Sequence, residues 1–247
     1  MAAEGLDGKV VLVAGGSGGI GTATAIALAK AGATVVLSGR DARRLENVAA
    51  QVEYAAGAEC ATVAADLTDP AQVNAAVDAA AARGNGGALD AVVNAAGVGA
   101  IKPVESLTPD DFDAVLRVNL YGAMLLSQAA VRVMAPRKRG HLLHVVGILG
   151  KAPMANATAY CASKYGLVGF LAALRAEVAR RHSLRITGLF LGGVDTPFWD
   201  NPAIEMKVQR DRMLRPEDAA GAILFALTQP EHLVLSDLTL QPESHQL

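Results

Sequence analysis

The chain has 247 residues, and its 22 lysines and arginines against 24 aspartates and glutamates give a formal net charge of −2. This balance excludes a global basic field that would recruit nucleic acid or acidic lipid. Hydrophobic residues make up 52% of the chain and aromatic residues only 4%, which is typical of a buried parallel sheet covered by closely packed helices.

The first residues, Met1 to Lys9, include acidic side chains and lack an apolar core, so we expect no secretory signal. No apolar run reaches the roughly 18 to 20 residues that a membrane span needs. Cys60 and Cys161 are the only cysteines, which favours a reducing compartment, and no Cys/His cluster has metal spacing. We therefore expect a cytoplasmic protein without metal, nucleic-acid or membrane partners.

Short β-branched runs alternate with longer segments of helical period through most of the chain. The predicted strands are 9–14, 34–38, 59–64, 88–94, 141–146, 185–190 and 233–235. The predicted helices are 19–31, 42–55, 70–82, 109–135, 157–182 and 216–227. This alternation predicts parallel strands joined by right-handed crossovers, and so a single doubly wound α/β domain over 1–247 with a mainly parallel, seven-stranded sheet.

A glycine-rich turn separates the first strand from the first helix. Its sequence is Gly15-Gly16-Ser17-Gly18-Gly19-Ile20-Gly21. Glycines in such a turn let the backbone approach a diphosphate, which rests on the helix N-terminus. We expect a nucleotide here; the alternative is a packing turn without a ligand.

The end of the second strand indicates which nucleotide would bind. A carboxylate there would bond a ribose 2′-hydroxyl, but Gly39 stands in its place and Arg40 follows. The planar donors of arginine suit a 2′-phosphate, which favours NADP(H) over NAD(H). Alternatively, Arg40 is a solvated residue that starts a helix. After the third strand, we expect Asp66 with Leu67 either to meet the adenine ring or to cap the next segment.

Tyr160 and Lys164 lie at i and i+4, so a helix would place them on one face. A positive charge beside a phenol favours the phenolate and lowers the pKa of the tyrosine. The pair therefore indicates proton transfer, and the glycine turn indicates the nucleotide that such a step would accompany.

Five motifs in register resemble those of the short-chain dehydrogenase/reductase family over nearly the whole chain. They are the glycine turn, Asn94-Ala95-Ala96-Gly97, Asn119, Tyr160-x-x-x-Lys164 and Gly192-Gly193-Val194-Asp195-Thr196. The resemblance implies a Rossmann-type fold, NADP(H) bound by these motifs with Arg40 on the 2′-phosphate, and Val194 and Thr196 orienting the nicotinamide carboxamide.

The resemblance also implies the roles of three residues in catalysis. Tyr160 would be the general acid in reduction and the base in oxidation. Lys164 would hold the nicotinamide ribose and lower the pKa of Tyr160, and Asn119 would position a water that relays protons through Lys164.

One position departs from the family pattern. The family usually has a serine 13 residues before the tyrosine, and here that position is Gly147. Losing one donor to the developing alkoxide typically costs about 10² to 10³ in rate. Three accounts are open: Asn156, Thr158 or Lys151 substitutes, with Asn156 favoured; the substrate polarises its own carbonyl; or the protein binds cofactor and does little chemistry.

Residues 196–213 are expected to form a substrate lid, in which Phe198 and Trp199 either wall an apolar or ring-bearing substrate or anchor the lid to the core. Three basic lid residues would either meet an anionic substrate tail or face solvent: Lys207, Arg210 and Arg212. Helices 109–135 and 157–182 carry many apolar positions, and the resemblance implies that they assemble a homodimer or homotetramer.

The sequence thus predicts an NADPH-dependent reductase of a small, apolar or ring-bearing carbonyl compound, with Tyr160 as proton donor. Two alternatives stay open. One is a catalytically weak cofactor-binding partner or regulatory subunit, and the other is a reductase of imines or enones.

Overall fold

The computed structural model describes residues 5–244; residues 1–4, on which the expectation about the N-terminus partly rests, lie outside this range. The strands are β1 Val10–Ala14, β2 Thr34–Gly39, β3 Cys60–Ala64, β4 Ala91–Asn94, β5 His141–Val145, β6 Arg185–Leu191 and β7 Asp237–Leu240. The helices are α1 Gly19–Lys30, α2 Ala42–Ala56, α3 Pro70–Ala81, α4 Pro109–Leu116, α5 Gly122–Met134, α6 Thr158–His182 and α7 Pro216–Leu227.

The seven strands form one sheet in the order β3-β2-β1-β4-β5-β6-β7, and every pair is parallel. The winding reverses between β1 and β4, which is the switch point where open α/β sheets bind ligands. Ala14 is in register with Ser38 of β2 and with Asn94 of β4. The predicted doubly wound, seven-stranded fold is confirmed, and the ends of three strands meet at one edge.

Side-chain alternation along β1 shows how the sheet is covered on both faces. Val11 and Val13 join a buried cluster with residues of α1, α2 and α7, whereas Val10 and Leu12 join a second cluster with residues of α3, α5 and α6. The sheet is therefore buried on both sides, and only its edges and strand ends remain for a ligand.

The last strand lies later in the chain than the predicted 233–235. Leu233 N–H donates to the Pro230 carbonyl at 2.9 Å, so this segment completes a turn. Pairing with β6 begins at Ser236, whose carbonyl accepts from Gly188 N–H at 2.9 Å. The sequence prediction was wrong here because the apolar run alone does not show which residues reach the β6 ladder.

The predicted helix 109–135 is divided in the structure. Thr108 and Asp111 form a capping box at the start of α4, as their spacing allows. A π-helical turn, Arg117–Tyr121, separates α4 from α5. Such turns widen a helix by one residue and occur often at functional sites, and this one contains Asn119.

The helical stretch Pro109–Arg137 has 29 residues, and its most apolar window has a mean hydropathy of 1.3 with 44% of the window buried. By length and mean hydropathy alone it could cross a membrane, although polar residues such as Asn119, Ser127 and Gln128 interrupt its apolar run. Core helices of soluble proteins pass the same criterion, however. Leu126, Ala130 and Met134 of α5 pack into the cluster beneath the sheet.

Candidate active site

The glycine turn after β1 packs against the end of β4. Gly15 has φ +76°, and a Cβ on it would lie 2.6 Å from the amide nitrogen of Ala96. A Cβ on Gly21 would collide with the Gly15 carbonyl. Only glycine fits these two positions, because one needs a left-handed backbone and both are closed by main-chain atoms.

The first turn of α1 offers unpaired amides to an anion. The helix begins at Gly19, its N-cap Gly18 makes no side-chain cap, and its first turn contains no acidic residue. The first amides of a helix have no intrahelical partner and attract negative charge. This end of α1 therefore fits the diphosphate that the glycine pattern predicts.

The space beside Gly39 is bounded by the apolar side chain of Leu45 and the hydroxyl of Ser17. A Cβ on Gly39 would lie 3.6 Å from Ser17 Oγ, and Arg44 Nη2 donates to the Ser17 carbonyl at 3.4 Å. Arg40 is exposed and forms no ion pair with residues 5–244. Arg44 was missed in the sequence, although its position four residues after Arg40, in the first turn of α2, could have indicated it.

Asp66 follows β3 and forms a turn before α3. Its Oδ1 accepts from Thr68 N–H at 2.8 Å and from the Thr68 hydroxyl at 2.9 Å. Asp66 does not cap α3, because the N-cap of that helix is Asp69, whose side chain accepts from Ala71 and Gln72 N–H. Contact of Asp66 with an adenine ring stays a prediction. Leu67 is buried and packs close to Gly122 at the start of α5.

Asn94 at the end of β4 shapes the loop that continues to Gly97. Its Oδ1 accepts from Ala96 N–H at 3.2 Å, and its Nδ2 lies 3.3 Å from His144 Nδ1. His144 Nε2 lies 3.1 Å from Ser127 Oγ, whose hydroxyl donates to the Ala123 carbonyl. With these roles fixed, Asn94 donates to Nδ1 and the neutral imidazole donates to Ser127.

The structure thereby adds His144 and Ser127 to the groups that hold the site in place. Burial lowers the pKa of His144 to about 3, so the imidazole stays neutral. A histidine in a strand pattern is typical of an ordinary core residue, so no local pattern indicated this network.

Tyr160, Lys164 and Asn119 lie close together at the carboxyl edge of the sheet. Lys164 Nζ lies 5.4 Å from the Tyr160 ring centroid and donates to the Val145 carbonyl at 3.3 Å. A Cβ on Gly97 would lie 3.4 Å from Asn119 Oδ1 and 3.8 Å from Lys164 Nζ. The glycine at 97 thus keeps open the space that these polar groups face.

The Asn119 side chain is fully used inside the protein. Its Oδ1 accepts from Val98 N–H at 2.9 Å, and its Nδ2 donates to the Val98 carbonyl at 2.9 Å and to Ser163 Oγ at 3.1 Å. The side chain therefore clamps the loop after β4 to the π-turn. Its suggested part in positioning a relay water stays a prediction.

The pKa of Tyr160 is raised, whereas the sequence predicted that Lys164 would lower it. Burial, which disfavours the phenolate, is the main cause, with a smaller contribution from Cys161. Burial also lowers the pKa of Lys164 to about 8. The spacing of the two residues shows the charge beside the phenol but not the burial of either group, and desolvation outweighs that charge.

Gly147 faces the tyrosine, as the spacing predicted. A Cβ on Gly147 would lie 3.6 Å from Tyr160 Oη, in ordinary van der Waals contact. The residue has φ +91°, a conformation that side-chain-bearing residues rarely adopt. The side chain of a serine would fit in this space, but its backbone would be strained at this φ. The glycine at this position is therefore consistent with the local backbone conformation.

The candidate substitute donors are occupied elsewhere or exposed. Asn156 has φ +65° and is exposed. Its main-chain carbonyl accepts from Lys102 N–H at 2.8 Å. Lys151 Nζ donates to Thr239 Oγ1 at 3.0 Å and lies 3.9 Å from the Phe190 ring centroid. Thr158 is exposed at the start of α6. No described contact joins any of them to Tyr160.

The segment expected to form a lid lies against the site. Ile101 N–H donates to the Ala203 carbonyl at 2.8 Å, and Glu205 N–H donates to the Ile101 carbonyl at 2.9 Å. Phe198 lies edge-on to Tyr160, with 5.9 Å between ring centroids. The ring lies beside Tyr160 and also packs on the buried cluster that contains Ile101 and Ile204. Both alternatives, a pocket wall and a lid anchor, therefore stay predictions.

Two side chains tie this segment to Gly192–Thr196. The Trp199 indole N–H donates to the Val194 carbonyl at 2.8 Å. Arg210 pairs with Asp200 and lies 3.6 Å from Asp195, so its charge is balanced inside the lid. Thr196 is buried, and its methyl group would lie 2.6 Å from a Cβ on Gly19.

The likeness to known proteins agrees with this geometry. A family model described as short chain dehydrogenase matches residues 9–206. A sepiapterin reductase of Chlorobaculum tepidum is 33% identical over 242 residues, covering 95% of this chain and 96% of the relative.

Two solved structures extend the likeness to three dimensions. A metagenomic short-chain oxidoreductase in complex with NADP has 32% identity and a TM-score of 0.81, covering 96% of this chain and 98% of the other. The alcohol dehydrogenase of Thermococcus sibiricus, complexed with 5-hydroxy-NADP, has 26% identity and a TM-score of 0.86, covering 97% and 98%. The chain belongs to the short-chain dehydrogenase/reductase family of oxidoreductases.

Proposed function

We propose that the protein is an NADPH-dependent reductase of a carbonyl group in a small, apolar or ring-bearing molecule. The observation that carries this proposal is the meeting of Tyr160, Lys164 and Asn119 beside the loop that packs on the glycine turn. A proton donor and a cation thus adjoin the end of the sheet where α1 presents its uncapped amides.

The residues of this edge fit a nicotinamide dinucleotide phosphate. The diphosphate would lie on the first turn of α1, and the 2′-phosphate would meet Ser17, Arg40 and Arg44. The main chain of Asn94–Gly97 would line the cofactor, with Val194 and Thr196 at its nicotinamide end. Two similar structures hold NADP or 5-hydroxy-NADP, and this supports NADP(H) over NAD(H).

When bound, the nicotinamide supplies or accepts the hydride, and side chains of the protein handle the proton. Burial keeps the Tyr160 hydroxyl protonated at neutral pH, so it can donate to the substrate oxygen. Lys164, with a pKa of about 8, is still largely charged at neutral pH. Its ammonium stabilises the phenolate that the donation leaves behind.

The surroundings of Tyr160 favour a substrate that polarises its own carbonyl. Tyr160 packs against an apolar cluster that contains Ile101, and Leu149, Met154 and Phe198 pack against the same cluster. Gly147 carries no hydroxyl, and its N–H donates to the Leu189 carbonyl at 3.3 Å. A ketone with an internal hydrogen bond or an adjacent carbonyl would not need the absent donor.

The test is oxidation of NADPH and of NADH by the purified protein with matched pairs of ketones. One member of each pair carries a neighbouring hydroxyl or carbonyl group, and the other does not. We expect turnover with NADPH and a preference for the activated member. Tight NADPH binding without turnover of any ketone, imine or enone would support a cofactor-binding partner subunit instead.

Tyr160→Phe tests the proposed acid directly. It should lower turnover by at least about 10²-fold, because general acid catalysis contributes that much, and leave the Kd of NADPH within about twofold. Tyr165→Phe is a matched control, since the Tyr165 hydroxyl donates to the Lys151 carbonyl at 2.8 Å on the outer side of α6. Undiminished turnover in Tyr160→Phe would show that another group donates the proton.

A further inference from the structure

The lid begins with a turn that folds back on the segment Gly192–Thr196. This turn, Pro197–Asp200, carries Trp199, whose indole N–H donates to the Val194 carbonyl at 2.8 Å. Trp199 is the only tryptophan in the chain. A buried carbonyl is thus held by a side chain that belongs to the lid.

The hydrogen bonds around Val194 show which of its main-chain groups could still bind a ligand. The Gly193 carbonyl accepts from Leu214 N–H at 2.9 Å, and Asp195 N–H donates to the Leu214 carbonyl at 2.9 Å. Val194 itself is buried, and within residues 5–244 its N–H makes no hydrogen bond. A buried main-chain N–H without a partner is rare in folded proteins.

A primary carboxamide matches this arrangement. Its oxygen accepts a hydrogen bond, and its nitrogen donates two. The free N–H of Val194 can serve the carboxamide oxygen. The Val194 carbonyl has two lone pairs: the indole donates to it at 2.8 Å, and the Thr196 hydroxyl donates at 3.5 Å. The carboxamide nitrogen would take the place of this longer hydroxyl contact.

We propose that Trp199 is a positioning residue, which anchors Val194 from the lid so that this residue presents its N–H to the nicotinamide carboxamide. This rests on the proposed function, since it assumes a nicotinamide cofactor. Leu214 hydrogen-bonds to the Gly193 carbonyl and to Asp195 N–H, and Trp199 donates to the Val194 carbonyl that lies between them. The same turn carries Phe198, which lies 5.2 Å from Trp199 and 5.9 Å from Tyr160 between ring centroids.

The turn Pro197–Asp200 therefore contacts two parts of the proposed site: Trp199 bonds Val194, and Phe198 lies against Tyr160. A lid that lifts away breaks the indole bond and removes Phe198 from beside Tyr160 at the same moment. Binding of the nicotinamide should stabilise the lid, and the lid should stabilise the bound nicotinamide, because such coupling is reciprocal.

The test compares NADPH with adenosine 2′,5′-bisphosphate, which has the phosphate-bearing adenosine but no nicotinamide. Trp199→Phe keeps an aromatic ring and removes the N–H donor. It should raise the Kd of NADPH about two- to tenfold, the range for one neutral hydrogen bond, and leave the Kd of the bisphosphate unchanged. Met206→Ala, at an exposed lid position, is the control and should change neither.

Because phenylalanine is smaller than tryptophan, a second replacement separates the loss of the N–H from the loss of ring size. Because the chain has one tryptophan, supplying benzothienylalanine in place of tryptophan alters Trp199 alone, keeping its size while removing the N–H. The same nicotinamide-selective loss is expected. In the unaltered protein, tryptophan fluorescence should respond to NADPH and stay constant with the bisphosphate.

Different results would overturn different claims. If both replacements leave the Kd of NADPH unchanged, or weaken both ligands equally, Trp199 does not position the nicotinamide segment. If the unaltered protein fails to bind NADPH at all, the proposed function fails and this inference fails with it.

Discussion

Tyr160 and Lys164 carry opposite pKa shifts with the same physical cause. Burial favours the neutral form of each group, so it raises the pKa of the phenol and lowers that of the amine. The tyrosine is therefore held as a protonated donor, and the lysine titrates near pH 8. Gly147 adds no hydroxyl opposite them, so the proposed reduction would require a substrate that polarises its own carbonyl.

Arg40 and Arg44 are expected to distinguish the two nicotinamide cofactors. Arg40→Ala and Arg44→Ala should each raise the Kd of NADPH by about tenfold or more, because charge-assisted hydrogen bonds contribute about 1.5 to 3 kcal/mol. The Kd of NADH should change little. Titration calorimetry measures both, and Arg43→Ala, also exposed in α2, is the matched control. Equal losses for both cofactors would contradict the assignment of the 2′-phosphate site.

Gly147 is expected to be required by its backbone conformation. Gly147→Ala should destabilise the protein by about 1 to 3 kcal/mol, because φ +91° with ψ 153° is a backbone region that is essentially restricted to glycine. Contact with Tyr160 would not explain the loss, since that Cβ lies 3.6 Å from the hydroxyl.

Urea unfolding measures this loss against Gly169→Ala in α6. A Cβ on Gly169 meets nothing within 4 Å, so this change should stabilise the protein by about 0.5 to 1 kcal/mol. Equal stability of the Gly147 variant and the unaltered protein would remove the backbone argument. Gly147→Ser then separates the strain from any gain in turnover of simple ketones.

At the scale of elements, β5 supplies buried groups that titrate only when the protein unfolds. His144 holds Asn94 and Ser127, and His141 Nε2 lies 2.7 Å from Thr187 Oγ1 of β6. Burial lowers the pKa of both histidines to about 3. The neutral imidazole of His144 on this strand therefore helps to hold Asn94, which positions the Asn94–Gly97 loop.

This arrangement predicts loss of stability in acid. The unfolded histidines have a pKa near 6.5 and the folded ones near 3, so the unfolded state binds more protons between these values. The free energy of unfolding should fall as pH drops from about 6.5 toward 3, by up to about 1.4 kcal/mol per pH unit for each histidine. Urea unfolding at several pH values should show a slope smaller by that amount in His144→Gln. Parallel slopes would mean that His144 does not titrate in this way.

At the scale of the whole molecule, the site is assembled from strand ends and covered by the lid, and an apolar face lies outside it. Leu116, Tyr121 and Tyr165 are 38%, 43% and 44% exposed on α4, the π-turn and α6, elements that pack on one another. Large apolar side chains grouped in this way mark interaction surfaces. We propose that this face joins copies of the chain into a homodimer or homotetramer.

Tyr121→Glu should weaken that assembly. A charge placed on a buried contact is unfavourable without a partner, so the mean mass in light scattering should shift toward the monomer at micromolar concentration. Tyr54→Glu is the control, because Tyr54 is 95% exposed on α2, away from this face. An unaltered protein that is already monomeric would exclude the proposed assembly.

The sequence by itself determined the strand–helix order, the glycine turn, and the pairing of Tyr160 with Lys164. These features depend on local periodicity and on spacing within one helix, which the residues specify without knowledge of distant contacts. The position of Gly147 opposite the tyrosine followed from the family resemblance, which implies a serine 13 residues before Tyr160.

Only the tertiary structure decided which of these groups are desolvated and which polar partners they meet. The raised pKa of Tyr160, the His144–Asn94 contact and the Trp199–Val194 hydrogen bond arise from burial and from segments brought together by folding. The displaced last strand has the same origin, since pairing with β6 selects its residues. Desolvation and non-local pairing depend on neighbours in space, and no local pattern in the chain encodes them.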